Sequence, residues 1–475
     1  MRRFAGGLIA AMTTVLVMGA TPAAQSQTTT SNTRPDVGVQ FHAMWGQYSN
    51  AQRLEVLDTM QAAGVEWLRV DMGWSSFQED GPDSFSSWYV DLSDFVVDAA
   101  RARGMKVLAT LWRTPEWAGA TDVYAPPADP AEYGKIARWA ADHFRGRVDA
   151  WEVWNEPNSS SFFKGTPTQY AGLLRASYHE FKAGDPDALV VFGGPEYNDT
   201  NFIKKVFDAG GAGYYDVMST HPYMAPADLP PETPDTSGNN IWLLTHVAAV
   251  KDLMGQYGDG AKEIWFTEFG WSSHGNTGSE PEWKKGVSLA EQGEYFIRTI
   301  ELVKAQFPYV TNVFWYNERN RVDTEDPQHA NYGLLYSDLS PKPAYTMLRD
   351  YLLAGVVPVE QGTCTITGTP GDDVLVGTDD DDVICGGGGN DTLIGGPGDD
   401  TLIGGPGQNV LKGGPGRDKL KAKKGKNIVK GGGGLDRIFT RNGGRRDRVT
   451  GGGGKDICKA DRKDRIRSCP RLKVR

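Results

Sequence analysis

The chain has 475 residues, 39% of them apolar, and a net charge of −10, enough apolar material for a large core and at least one smaller module. All four cysteines lie at or beyond Cys364, which excludes a thiol nucleophile from the larger part, and only the N-terminal stretch is apolar enough to suggest a membrane-directed segment. The charge is divided: 364–409 holds nine Asp and no Lys or Arg, whereas 410–475 holds 22 Lys and Arg against six Asp.

Arg2 and Arg3, the apolar run 4–20 and the small residues Pro22-Ala23-Ala24 read as a signal peptide over 1–24, so an exported protein, extracellular or attached to the cell surface, is expected. Residues 25–36, rich in Ser, Thr, Gln and Asn, follow as a flexible leader. From 37 to 358 apolar runs alternate eight times with amphipathic stretches, the pattern of a parallel α/β architecture. The strands are expected at 37–42, 67–74, 106–113, 150–156, 189–196, 217–223, 263–271 and 312–318, with helices at 51–63, 89–103, 131–144, 289–306 and 342–353 among them. Eight such units fit a (β/α)8 TIM barrel. A doubly wound open sheet is disfavoured because no Gly-rich phosphate loop follows the first strand. The segments 224–240 and 272–286 are longer than connection requires and are expected to shape a cleft rim.

Two Trp-rich runs, Trp-Glu-Val-Trp-Asn-Glu156-Pro and Glu-Ile-Trp-Phe-Thr-Glu268-Phe-Gly, each end a strand on a carboxylate. A parallel barrel places catalytic groups at such ends, and two facing carboxyl groups are what glycosidic cleavage requires. Asp71, Glu152, Glu196 and Glu318 are further acids at or near strand ends.

Trp-Asn-Glu156-Pro and Thr-Glu268-Phe-Gly resemble the strand-four and strand-seven motifs of clan A glycoside hydrolases, especially families 5 and 39. Arg69, His221-Pro-Tyr223, Trp315 and the closing Tyr332-Gly-Leu-Leu and Ser340-Pro-Lys-Pro extend the resemblance over most of 37–353. It implies a retaining β-glycosidase with Glu156 as acid/base, Glu268 as nucleophile and no catalytic cofactor. Arg69 would keep Glu268 ionised, Asn155 would bind the sugar 2-hydroxyl, and Tyr223 would donate to Glu268. His221 would hold the acid/base or a sugar hydroxyl, or else is a packed core histidine. Trp315 would be the sugar platform, and Trp112 is a further aromatic at the mouth. The two carboxyl groups are then expected roughly 5–5.5 Å apart. One departure is Leu-Trp112-Arg113-Thr-Pro after strand three, where many family 5 members have a histidine; it points nearer family 39 or an outlying branch and weighs against a cellulase. The substrate expected is a β-linked polysaccharide or oligosaccharide. A transglycosylase, or a non-catalytic carbohydrate-binding or adhesion protein, is the alternative.

A linker is expected at 359–367 and a repeat region over 368–475. Gly368-Thr-Pro-Gly-Asp-Asp373 recurs at nine-residue steps ending on Asp382, Asp391 and Asp400, and an aliphatic residue follows two places after each. Such a period predicts a parallel β-roll solenoid with the aliphatic residues stacked inside. It resembles the repeats-in-toxin nonapeptide, which implies structural Ca²⁺ held by Asp373, Asp382, Asp391 and Asp400. Beyond 402 the motif thins: Asn409 and Asn427 replace Asp, and cations accumulate, so those later turns are not expected to bind calcium. The four cysteines allow three pairings; their spacing suggests Cys364–Cys385 and Cys458–Cys469 without settling it. The basic end suits anionic cell-wall polymers better than nucleic acid, since Phe439 is nearly its only aromatic.

Overall fold

A computed structural model of the chain describes residues 34–353, 364–368, 371–422, 425–440 and 446–474. The expected signal peptide, most of the leader and most of the linker lie outside these residues. The chain divides into two compact units, 1–342 and 343–475.

The first unit is built on eight parallel strands: β1 (Asp36–Phe41), β2 (Trp67–Gly73), β3 (Lys106–Trp112), β4 (Ala150–Val153), β5 (Leu189–Phe192), β6 (Met218–Thr220), β7 (Ile264–Phe269) and β8 (Val310–Trp315). They run in the order β5-β4-β3-β2-β1-β8-β7-β6, and a bridge between Val191 and Val217 joins the two end strands, giving the TIM-like barrel. Trp67, Leu108, Ala150, Val191, Val217, Trp265 and Phe314, one or more from nearly every strand, fill a layer of the barrel interior. The helices begin where local chemistry allows. Ser49, Thr166 and Ser288 each form a capping box with a Gln or Glu three residues on, which satisfies free backbone N–H groups at the first turn.

Several strands stop earlier than the apolar pattern suggests. β4 ends at Val153 because Trp154 and Glu156 adopt left-handed backbone, at φ 71° and 41°. The pattern reads side-chain polarity and is blind to this turn, which takes Glu156 out of the ladder and up into the barrel mouth.

The second unit contains the solenoid. Among the described residues thirteen short strands, from Ile366–Thr367 to Arg471–Val474, alternate between two parallel sheets, one of six strands and one of seven. Successive repeats therefore fall on opposite sheets, and stacked neighbours in one sheet are two repeats apart, as with Leu393 paired to Leu411. Ile384, Leu393, Leu402, Leu411, Leu420, Val429, Ile438, Val449 and Cys458 form one buried row between the sheets. Cys364 pairs with Cys385 and Cys458 with Cys469. The coil persists through the basic end, because its cations flank the inward aliphatic positions and leave them apolar.

Candidate active site

The C-terminal ends of the barrel strands surround a cleft of about 800 Å³, into which Glu156, Glu268, Asn155 and Tyr223 open. Glu156 leaves β4 through the turn just described, and its backbone N–H donates to the carbonyl of Gly194, 3.1 Å. Glu268 is carried by β7. One carboxylate oxygen of each, together with a ring nitrogen of His221, lie within 4.8 Å of one another.

Arg69, on β2, lies beneath them and is wholly buried. Its guanidinium donates to Glu268 Oε1 (2.5 Å), Glu152 Oε2 (2.8 Å), Gln40 Oε1 (2.7 Å) and Asn155 Oδ1 (2.8 Å). The bond to its oxygen fixes the Asn155 amide with the NH₂ as its remaining donor. Tyr223 donates its hydroxyl to Glu268 Oε2, 3.0 Å. His221 Nδ1 lies 3.0 Å from Glu156 Oε1, and its Nε2 lies 3.1 Å from Thr267 Oγ1. His221 is fully buried, so it meets Glu156 and Thr267 and no sugar hydroxyl. Arg69 likewise reaches no sugar itself.

The two glutamates differ electrostatically. Burial pushes the Glu156 carboxyl well above its ordinary value, and the negative charges of Glu268 and Glu196 push the same way. Burial also raises Glu268, but the Arg69 guanidinium and the Tyr223 hydroxyl oppose it. Glu156 has no comparable cation in contact, and its carboxyl is raised further than that of Glu268. Burial and the Arg69 charge hold His221 well below its usual value, so the ring is neutral.

The other strand-end acids take different places. Glu152 is wholly buried and accepts from Arg69 and from Thr110 Oγ1 at 2.7 Å; Glu318 is buried against Tyr48 Oη (2.7 Å) and His42 (3.1 Å). Both are structural. Asp71 and Glu196 line the cleft.

Trp315 departs from expectation. It is fully buried, stacks on Phe296 with ring centroids 4.5 Å apart, and donates its indole N–H to the Tyr332 carbonyl, leaving no face for a sugar. The next residue, Tyr316, lines the cleft in its place. Trp112 does line the cleft, with the Arg113 guanidinium 4.5 Å from its ring centroid. Tyr197, Tyr332, Trp45, Trp283, Tyr124 and Phe162 also line it. Trp283, half exposed on the 272–286 segment, carries the expected rim role of that loop. Tyr197 could have been found from the Gly-Gly-Pro-Glu-Tyr end of the fifth strand, but nothing in its spacing marks it as inward-facing.

Residues 23–317, more than half the chain, match Cellulase (glycosyl hydrolase family 5). The chain belongs to glycosyl hydrolase family 5. A β-xylosidase of Caldicellulosiruptor saccharolyticus is 27% identical over 307 residues, which are 59% of this chain and 59% of that one. A β-glucosidase of Agrobacterium sp. is 30% identical over 105 residues, 22% of this chain and 23% of that one. Among solved structures, a family 39 glycoside hydrolase from Bacteroides cellulosilyticus WH2 superposes with TM-score 0.54 at 26% identity, covering 66% of this chain and 63% of the other. The family 5 chain thus spans under two thirds of the length of the β-xylosidase. GH5_18 from Streptomyces cattleya shares the fold, with TM-score 0.53 at 19% identity, over 72% of this chain and 85% of that one. In the second unit four stretches between 365 and 445 match the RTX calcium-binding nonapeptide repeat.

The four aspartates expected to bind metal are not equivalent. Asp391 and Asp400 each bury an Oδ2 that has no hydrogen-bond partner, although each residue is only 1% exposed. An orphaned carboxylate oxygen of this kind fits a hard cation. Asp382 does not share the feature: its Oδ2 accepts from Thr378 N (2.6 Å) and Thr378 Oγ1 (2.9 Å), and its Oδ1 from Thr365 Oγ1 (2.6 Å). Threonine in place of the second glycine of that turn supplies those donors. Asp373 stands at the start of the row, its backbone N–H donating to Asp391 Oδ1 at 3.1 Å. Among the described residues no helix is long and apolar enough to cross a membrane.

Proposed function

We propose that this family 5 protein is an exported retaining β-glycosidase acting by double displacement. The observation that carries the reading is the approach of Glu156 and Glu268 within 4.8 Å, measured between carboxylate oxygens. An inverting pair needs roughly 6.5–9.5 Å between carboxyl groups to admit water, whereas a retaining pair needs roughly 5–5.5 Å.

Glu268, ionised beside Arg69, attacks the anomeric carbon while Glu156 passes its proton to the leaving oxygen. The glycosyl ester so formed removes the charge of Glu268. Glu156 then loses its proton more readily and acts as base for the water that cleaves the ester. The Asn155 NH₂ donates to the sugar 2-hydroxyl, a contact that strengthens in the transition state. Tyr223 holds the attacking carboxylate and follows its oxygen as the ester forms. The names of the relatives, β-xylosidase and β-glucosidase, favour β-xylosides and β-glucosides as substrates, in breakdown or remodelling of β-linked glycans.

The repeats are inferred to bind calcium outside the cell, where it is plentiful. The bound ion supplies positive charge that ties carboxylates and turn carbonyls together. The basic end is suited to hold the enzyme on anionic cell-wall polymer.

The test is a panel of aryl β-glycosides, β-glucan, xylan and mannan, with proton NMR of the first-formed product anomer, beside Glu268→Gln. Turnover that yields the β-anomer first and disappears in Glu268→Gln supports the reading. An α-anomer first would overturn retention. Glycan binding without turnover would make the protein a carbohydrate-binding module.

A further inference from the structure

The two sheets of the solenoid sort its turns onto two edges, and the edges differ in a way the linear repeat conceals. On one edge a first turn, 377–382, reads Gly-Thr-Asp-Asp-Asp-Asp382, and the four after it are 395–400, 413–418, 431–436 and 451–456, reading Gly-Gly-Pro-Gly-Asp-Asp400, Gly-Gly-Pro-Gly-Arg-Asp418, Gly-Gly-Gly-Gly-Leu-Asp436 and Gly-Gly-Gly-Gly-Lys-Asp456. Each of these four keeps Gly-Gly-x-Gly-x-Asp, although three of them lie in the basic end. On the other edge the motif is whole at 386–391, decays through Gly-Gly-Pro-Gly-Gln-Asn409 to Ala-Lys-Lys-Gly-Lys-Asn427, and regains its aspartate at Asp447 in an altered sequence, Thr-Arg-Asn-Gly-Gly-Arg-Arg-Asp447. Read in succession the repeats look as if they fade after 402. Read by edge, one row stays intact from 395 to 456.

The side chains divide the same way. Within each row one oxygen of the sixth residue accepts the backbone N–H of the sixth residue one coil earlier: Asp418 Oδ1 from Asp400 N, Asp436 Oδ1 from Asp418 N and Asp456 Oδ1 from Asp436 N, each at 3.0 Å. Asn maintains this ladder on the opposite edge, where Asn409 Oδ1 accepts from Asp391 N (2.8 Å) and Asn427 Oδ1 from Asn409 N (2.9 Å). The ladder therefore does not require aspartate. The second atom of the side chain is what differs. Asp400, Asp418, Asp436 and Asp456 are 0–1% exposed, and the Oδ2 of each has no hydrogen-bond partner. Each points into a cradle closed by a neighbouring carbonyl: a Cβ added to Gly413 would stand 2.2 Å from Asp418 Oδ2 and 2.4 Å from the Gly431 carbonyl oxygen. One added to Gly431 would stand 2.2 Å from Asp436 Oδ2 and 2.3 Å from the Gly451 carbonyl oxygen. Buried anionic and carbonyl oxygens that converge without a donor between them repel one another and call for a cation. At Asn409 the corresponding atom is Nδ2, and it donates to the Gly405 carbonyl at 3.0 Å, so the turn closes with its own donor.

We propose that calcium loads one edge of the solenoid continuously through Asp400, Asp418, Asp436 and Asp456 into the basic end, while Asn409 closes its facing turn without metal. In this row of turns the cations Arg417 and Lys455 stand at the fifth position, and the carboxylates of Asp418 and Asp456 beside them are buried inside the turns. The inference rests on the reading of the repeats as calcium-binding.

The experiment measures bound calcium per chain in the full-length protein, by atomic emission after equilibration and by calorimetric titration. The variants are Asp418→Asn with Asp436→Asn, and Asn409→Asp. The first pair preserves the Oδ1 ladder and is expected to lower bound calcium by about two ions, since each substitution removes one hard anionic ligand. Asn409→Asp restores Gly-Gly-Pro-Gly-Gln-Asp and is expected to gain calcium. Unchanged calcium in the double variant would confine the metal to the early repeats and overturn the one-edged row. Unchanged calcium in Asn409→Asp would overturn the role given to the amide. An unsubstituted chain that binds no calcium at all would instead defeat the calcium reading of the repeats.

Discussion

Arg69 Nη1 lies 2.5 Å from Glu268 Oε1, and the same guanidinium holds Glu152, Gln40 and Asn155, so one buried cation ties β2 to β1, β4 and β7. Removing it leaves the buried carboxylates of Glu152 and Glu268 without their counter-charge. Arg69→Met is expected to lose about 3–5 kcal/mol of stability, the usual cost of breaking a buried pair on one side. Arg69→Lys retains a charge but cannot fill four acceptors from a fork. It is expected to fold and to lose kcat. Urea unfolding of both variants, with kcat and KM of the lysine variant, checks this; a lysine variant of undiminished kcat would show that one charge suffices.

The raised Glu156 carboxyl fixes two pH dependences. As the acid it must be protonated in the first step, so kcat/KM is expected to fall as pH rises through its elevated value, and Glu156→Gln is expected to lack that limb. Stability runs the same way. The unfolded carboxyl ionises near its ordinary value while the folded one holds its proton longer, so the native state binds more protons between the two and stability drops as pH rises across that window. Glu156→Gln removes the loss. Its melting temperature is expected to exceed that of the unsubstituted protein at pH 7.5 and to match it near pH 4, measured by calorimetry; an equal gap at both pH values would mean the carboxyl is not displaced.

Glu156 as acid also predicts a leaving-group effect. Protonation matters most for a poor leaving group, so Glu156→Ala is expected to lose about 10²–10⁴-fold on alkyl or sugar leaving groups. It should lose much less on dinitrophenyl glycosides in the first step. Glu268→Gln should lose activity on both. Single-turnover rates across a series of aryl glycosides measure this, and equal losses across the series would remove Glu156 from the acid role.

What the sequence reveals about this molecule follows from which signals are local. Eight apolar runs and their spacing are enough for the barrel, and the run of Trp-Asn-Glu156-Pro shows which strand end carries a carboxylate. The left-handed turn at Trp154 and Glu156 leaves no mark in composition, so strand ends are misjudged by a few residues. Trp315 and Tyr316 are adjacent, and one step along a strand end exchanges a buried ring for a cleft-lining one. In the solenoid the nine-residue period is plain, but the alternation of sheets pairs residues 18 apart, and the contrast between Asp418 and Asn409 emerges only when turns are grouped by edge.

Trp315 and Trp112 are expected to respond differently to substitution. Trp315 packs against Phe296, Phe269 and Trp271 and is out of reach of the cleft. Trp315→Ala should cost about 3–5 kcal/mol of stability through the cavity it leaves. Trp112→Ala, at the cleft wall, should chiefly raise KM. Thermal unfolding beside steady-state kinetics separates the two; a large KM effect in Trp315→Phe with unchanged stability would return Trp315 to the sugar-binding role.

Gly194, just beyond β5, offers a test of how far Glu156 depends on its neighbour. A Cβ there would stand 2.4 Å from His221 Cδ2, 2.5 Å from its Nε2 and 2.8 Å from Thr267 Oγ1, and none of these groups is free to retreat. His221 is boxed by Thr267 on one nitrogen and Glu156 on the other. Gly194→Ala must therefore displace the imidazole and with it the hydrogen bond that positions Glu156 Oε1. A shift of about 1 Å in a catalytic group costs about 10²-fold, so kcat should fall by that order with KM little changed. The companion His221→Asn removes the ring and relieves the crowding. If the loss in Gly194→Ala acts through His221, adding Gly194→Ala to His221→Asn costs almost nothing further. A full second loss in the double variant would place the effect of Gly194 on the backbone around Glu152 and Glu156, whose hydrogen bonds to Gly194 N and O run through the same residue.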